Sequence, residues 1–150
     1  MKLSNYLSNT AINLELAGGQ KDLVLEEMVD LLEKCGKVID KDSYLNSVLD
    51  REKLGSTGIG RGIAIPHGKS EAIKNIAIAF GRSTGGVEFD ALDDQPVKLI
   101  FMLAAPNNVG SIYLKVLAEL SKLLKHKEFR QALMEASNPD QVLEIFEQNS

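Results

Sequence analysis

The run Leu99 to Ala105, Leu-Ile-Phe-Met-Leu-Ala-Ala, is the longest unbroken apolar stretch in the chain. It is far too short to span a bilayer as a helix, which takes about 20 residues. Extended back to Val97, it reads as a strand, with a break at Asp93-Asp94-Gln95-Pro96 before it and a loop at Pro106-Asn107-Asn108 after it. A strand that is apolar at nearly every position is buried on both faces and lies inside a sheet. Strands mixed with helices along the rest of the chain then suggest the fold class: α/β, a three-layer sandwich with a mixed β-sheet flanked by helices on both faces.

The other elements follow from periodicity and stop signals. Ile12, Leu14 and Leu16 alternate with Asn13 and Glu15, the period of a half-buried strand, and Gly18-Gly19 ends it. A helix to about Gly36 is expected next, with Val24, Met28, Leu31, Leu32 and Cys35 as its apolar stripe. Asp40 or Asp42 is expected to cap a second helix through about Leu54, with Leu45, Val48 and Leu49 facing inward. Gly55 to Gly62 reads as loop, and Ile63 to Ile65 as a short strand ahead of Pro66. Ile76 to Phe80 reads as a buried strand, Gly85-Gly86 as a turn, and Val87 to Phe89 as another short strand. Ser111 is expected to cap a long helix to about Lys125, with Val116, Leu117, Leu120, Leu123 and Leu124 apolar. A shorter helix carries Phe129, Leu133 and Met134. Asn138-Pro139-Asp140-Gln141 starts the last helix: a capping Asn, Pro in the first turn, and Gln three residues after the cap.

At 150 residues, with 44% apolar and 25% charged residues, one domain over residues 1–150 is expected. The net charge of -4 argues against a nucleic-acid partner, which would call for a strongly basic face. A single cysteine, Cys35, excludes an intramolecular disulfide and fits a reducing compartment. The opening Met-Lys-Leu-Ser-Asn-Tyr has no apolar signal core, so the expectation is a cytoplasmic protein without direct membrane insertion.

The chemistry concentrates between Arg51 and Lys69, which holds five of the twelve glycines, one of the two histidines and a local excess of cations. Gly62 to Ser70 ends in Gly-Lys-Ser, but a phosphate-wrapping P-loop has four residues between its glycines. Here five intervene, and Pro66 among them lacks an N–H. Gly58-x-Gly60-x-Gly62 is not the dinucleotide fingerprint, because a strand follows where a helix is needed. Gly55-Ser56-Thr57-Gly58 is not a nucleophile elbow. His67, His126 and Cys35 show no zinc-ligand spacing, so no metal is expected. His126, between Lys125 and Lys127, reads as a solvated helix end. That leaves His67. A neutral imidazole keeps a lone pair and is a usable nucleophile toward phosphorus. The phosphoryl oxygens then need positive charge and N–H donors. Arg51, Thr57, Lys69 and the backbone of the loop beginning at Gly58 are the candidates to supply them.

Gly-Ile-Gly-Arg-Gly-Ile-Ala-Ile-Pro-His-Gly-Lys, preceded by Arg51-Glu52 and Ser56-Thr57, closely resembles the type-2 IIA domains of the bacterial sugar phosphotransferase system, the fructose, mannitol and nitrogen-related IIA proteins. The resemblance covers essentially the whole chain. It implies a phosphotransferase component with a phosphohistidine intermediate: His67 accepts a phosphoryl group from phospho-HPr, on Nε2, and passes it to a IIB domain or protein. It assigns the supporting arginine to Arg51 and the loop threonine to Thr57. It implies no cofactor, metal or nucleotide. Many such domains carry a second histidine near the start of the helix after the central strand, and Tyr113 stands at that position here. A tyrosine can donate a hydrogen bond but cannot become a cation. Two roles remain open: a carrier in sugar uptake, which the generic motif favours, and a regulatory protein whose phosphorylation state selects its target proteins.

Overall fold

The computed structural model describes residues 1–149. Its axis is β6, Val97–Ala105, in which every residue but Lys98 is buried. Successive side chains of a strand point to opposite faces. Ile100, Met102 and Ala104 therefore enter one core, and Leu99, Phe101, Leu103 and Ala105 the other. The first core is closed by α1, Lys21–Lys34, and α2, Lys41–Lys53. The second is closed by α3, Ile112–Leu124, α4, Lys127–Glu135, and α5, Pro139–Gln148. The fold is thus the expected mixed sheet between two helical layers. Among the described residues no helix is long and apolar enough to cross a membrane.

The sheet order is β1 (Leu7–Asn13), β5 (Ala77–Val87), β6, β3 (Ile63–Ala64), β2 (Gly58–Gly60), and β4 (His67–Lys69) also pairs with β6. β5, Ala77–Val87, runs antiparallel to β6 on one side. On the other side β3, Ile63–Ala64, and β4, His67–Lys69, run parallel to it, one after the other along its length. The chain steps from β3 to β4 across Ile65 and Pro66. Proline has no N–H to give a ladder, and the Pro66 carbonyl accepts the Leu103 amide at 3.0 Å.

Several elements depart from the sequence reading, each for a local reason. β1 is Leu7–Asn13 and not Ile12 to Leu16. It pairs in parallel with β5 through Leu7 and Ile12, with a register shift between them. The Gly85-Gly86 pair makes no reversal. β5 passes straight through it, and five steps along β5, from Arg82 to Val87, oppose two along β6. Gly86 at φ 86° and its amide, bonded to Ser83 Oγ at 3.1 Å, absorb the surplus as a bulge. Val87 is therefore the end of β5, and Val87 to Phe89 do not form a strand of their own. The glycine loop contains β2, Gly58–Gly60, antiparallel to β3. Its two-residue connection is Arg61-Gly62, both with positive φ, 59° and 78°, as tight hairpin turns require. Ser111 precedes α3 but its hydroxyl makes no cap bond, because its own backbone is already helical. Asp40 and Asn138 do cap α2 and α5, accepting the Ser43 and Gln141 amides at 3.2 and 3.0 Å.

Candidate phosphoryl-transfer site

His67 opens β4, opposite Leu103 of β6. The site forms here because α2 lies directly on β4. Gly68 permits that approach: a Cβ there would sit 3.0 Å from Ser47 Oγ and 3.3 Å from Val48 N. Ser47 Oγ donates to the Lys69 carbonyl at 2.6 Å, and the buried Tyr44 hydroxyl donates to the Leu103 carbonyl at 2.9 Å. The helix is thereby locked to the two strands that hold the histidine, with Arg51 and Glu52 in its last turn.

The imidazole is half-buried, neither sealed in the core nor fully exposed. Its Nδ1 lies 2.8 Å from the Ile65 carbonyl oxygen. A carbonyl can only accept, so Nδ1 carries the hydrogen and Nε2 keeps its lone pair. Burial lowers the pKa of His67 from its usual 6.5, and the Arg51 charge lowers it further. The bond to Ile65 and the Glu52 charge pull the other way without prevailing. The ring is therefore neutral near pH 7.

Tyr113, at the start of α3, meets His67 edge-on with ring centroids 6.1 Å apart. Burial pushes its phenol up to about 12, so it stays neutral. The Lys69 ammonium stands over the Tyr113 ring, 4.9 Å from its centroid. Arg51 donates from Nη1 to the Gly55 carbonyl at 2.8 Å, and its charge acts on both His67 and Tyr113. His67, Tyr113 and Lys69 thus form one cluster through ring contacts, and the Arg51 charge bears on it.

The sequence model of the "Phosphoenolpyruvate-dependent sugar phosphotransferase system, EIIA 2" matches residues 5–149. The chain belongs to this family. It is 43% identical over 149 residues to the fructose-specific EIIABC component of Bacillus subtilis, a match covering 99% of this chain but only 24% of that protein. Among solved structures it is similar to the nitrogen regulatory protein IIA-Ntr of Neisseria meningitidis, with a TM-score of 0.89 and 37% identity over 96% of this chain and 98% of that one. It is also similar to enzyme IIA-mannitol of Escherichia coli in complex with phosphorylated enzyme IIB-mannitol, with a TM-score of 0.80 and 26% identity over 94% and 96%.

Two residues singled out in this EIIA domain hold their donors inward. Thr57 is 4% exposed. Its amide donates to Glu52 Oε1 at 3.1 Å and its hydroxyl to Glu52 Oε2. The Gly58 amide donates to Ser56 Oγ at 3.0 Å, and its carbonyl accepts the Leu92 amide at 2.8 Å. The expectation that both aim donors at an anion therefore meets a structure in which those donors are already bonded. Thr57 also holds the backbone behind His67, since its carbonyl accepts the Ile65 amide at 3.0 Å. His126 is exposed and makes no cap bond. Among the described residues no three His, Cys, Asp or Glu side chains converge as a metal site would require.

Sequence reasoning did not single out Glu52, Lys21 or the Ile65 carbonyl. Glu52 stands beside Arg51 in a helix end rich in charge, and nothing in its spacing marks it for burial. Only the turn at Gly55, which folds Thr57 back onto the helix, puts it inside.

Proposed function

We propose that this EIIA domain is a phosphoryl carrier of the sugar phosphotransferase system, working in the cytoplasm as one unit over residues 1–150. His67 takes the phosphoryl group from phospho-HPr and passes it to a IIB component. The observation that carries this is the hydrogen bond from Nδ1 to Ile65, which leaves the Nε2 lone pair on a half-buried neutral ring. In acceptance the lone pair forms the Nε2–P bond as the bond from phosphorus to the donor breaks. Nε2 bears no hydrogen, so no proton has to leave. The positive charge that appears on the ring is met by the Ile65 carbonyl. Arg51 and Lys69 supply charge to the phosphoryl oxygens. The work is positioning and electrostatics, with no residue-borne acid or base required.

The likeness to a IIA–IIB complex supports a IIB protein as acceptor, and the likeness to the fructose-specific EIIABC component supports a sugar of the fructose class. A second reading rests on the 37% identity to IIA-Ntr: phosphorylation of His67 switches the affinity of this face for a regulatory target protein. Incubation with phosphoenolpyruvate, Enzyme I and HPr should add one acid-labile phosphate, and His67→Ala should abolish it. A label that survives on another residue refutes the assignment. Capture with phosphorylated and unphosphorylated protein separates the two roles. A IIB or transporter partner supports transfer, and a regulator or kinase supports the second reading.

A further inference from the structure

Glu52 is a carboxylate buried to 9% exposure in the last turn of α2. Removing such a charge from water is costly, and only partners on its oxygens offset that cost. Here both oxygens have them. Lys21 Nζ pairs with Oε1 at 2.8 Å, and the same ammonium stands over the Phe89 ring, 5.0 Å from its centroid. Oε1 also accepts the Thr57 amide, and Oε2 the Thr57 hydroxyl.

From this anchored carboxylate a line of hydrogen bonds reaches the imidazole. Glu52 grips Thr57 by its amide and its hydroxyl. Thr57, through its carbonyl, grips the Ile65 amide at 3.0 Å. Ile65, through its carbonyl, receives the His67 Nδ1 hydrogen at 2.8 Å. Successive bonds enter and leave each residue through different peptide groups, so the line transmits position and not polarisation. Pro66 completes it, because its ring fixes φ between the Ile65 carbonyl and the histidine. Each link narrows where the next acceptor can lie.

We infer that Glu52 is a positioning residue for phosphoryl acceptance: anchored by Lys21, it acts through Thr57 and Ile65 to hold the His67 imidazole as the Nδ1–H tautomer with Nε2 open to phosphorus. The role in acceptance rests on the phosphoryl-carrier reading. The tautomer does not, and this keeps the two separable. A glutamate that only stabilised the fold would lower the melting temperature when replaced and leave the imidazole as it was. A threonine that only touched phosphate would leave the unphosphorylated ring unchanged.

The test is two-bond ¹H–¹⁵N correlation on ¹⁵N-labelled, unphosphorylated protein at pH 8, in the wild type, Glu52→Gln, Thr57→Val and Thr57→Ser, with exposed His126 as internal reference. The wild type should show His67 as a single Nδ1–H tautomer. Glu52→Gln and Thr57→Val should each bring in the Nε2–H form, and Thr57→Ser should return the Nδ1–H signal. With phospho-HPr, Glu52→Gln should lower kcat by about tenfold while KM stays within about twofold, the mark of a misplaced rather than an unbound reactant. If Glu52→Gln does not fold, Thr57→Val, which leaves the Lys21 pair in place, decides the tautomer alone. A pure Nδ1–H signal in folded Thr57→Val, or in folded Glu52→Gln, overturns the inference. Failure of the wild type to take up phosphate would instead overturn the carrier reading, with the tautomer result standing by itself.

Discussion

Replacing Gly58 by alanine tests how firmly the β2–β3 hairpin seats the site. Gly58 has no positive φ, so the penalty is steric and not conformational. A methyl built there lies 2.9 Å from both Cα and Cβ of Ala91 and 3.2 Å from Phe89 Cδ1. Carbon atoms rest about 3.5–4.0 Å apart, so the methyl must retreat by roughly 0.6 to 1.1 Å. The wall it meets includes backbone, which cannot swing aside like a side-chain tip. The strand is also tied to that wall, through Leu92 N–H to the Gly58 carbonyl at 2.8 Å and Ser56 Oγ to the Phe89 carbonyl at 3.1 Å. Either these bonds stretch or β2 moves as a piece. Overpacking of this kind costs about 1–3 kcal/mol. At about 2–4 °C per kcal/mol for a chain of this size, Tm should fall by about 2–12 °C. Thr57 is the residue just before it, so the shift passes through the Thr57 carbonyl and Ile65 to the imidazole. A misplacement near 1 Å costs about a hundredfold in rate, so a displacement of about half that predicts roughly a tenfold loss. Scanning calorimetry reads the first effect, and single-turnover transfer from phospho-HPr the second. A Gly58→Ala protein with the melting temperature and rate of the wild type would refute both the tight contact and its coupling to His67.

The burial that lowers the His67 pKa predicts that acceptance stays level as pH falls through 6.5 and drops only below that, and an imidazole NMR midpoint above 6.5 would contradict it. The sign for stability agrees: the unfolded histidine takes its proton near pH 6.5 while the folded one resists. The contribution is therefore full above 6.5 and is lost as pH falls through the folded value. Arg51→Met removes a charge that lowers this pKa, so the midpoint should rise and transfer should slow; a midpoint that stays or falls would place Arg51 too far away to matter. Asn138→Ala removes the cap of α5 and should cost about 1 kcal/mol, or about 2–4 °C in Tm, with the transfer rate unchanged. A slowed transfer would reveal coupling between that helix and the site.

Periodicity carried far in this chain where the partner of an element did not matter. Of the expected stripes, Val24, Met28 and Leu32 and Val116, Leu120 and Leu124 are fully buried while Leu31, Cys35, Leu117 and Leu123 are half-buried, and β6 runs from Val97 to Ala105 as read. It failed where a glycine admits two outcomes. Gly85-Gly86 suits a turn as well as a bulge, and only the pairing of β5 with β6 selects the bulge. It failed again at β2, whose Gly-Ile-Gly has almost no side-chain pattern and becomes a strand because β3 lies beside it. At Ser111 a good capping residue met a backbone already helical, so its side chain had no cap to make.

At the site the division is sharper. The order of residues alone marked His67, placed Arg51 in a helix end and put a tyrosine where many such domains have a second histidine, because motif and spacing are properties of the chain. Which nitrogen of His67 carries the hydrogen, which way the Thr57 hydroxyl and Gly58 amide point, and that Glu52 is buried against Lys21 were decided only by folding. Those facts depend on acceptors and charges brought together from α1, α2 and the β2–β3 hairpin, and no local rule links a lysine at position 21 to a glutamate at position 52.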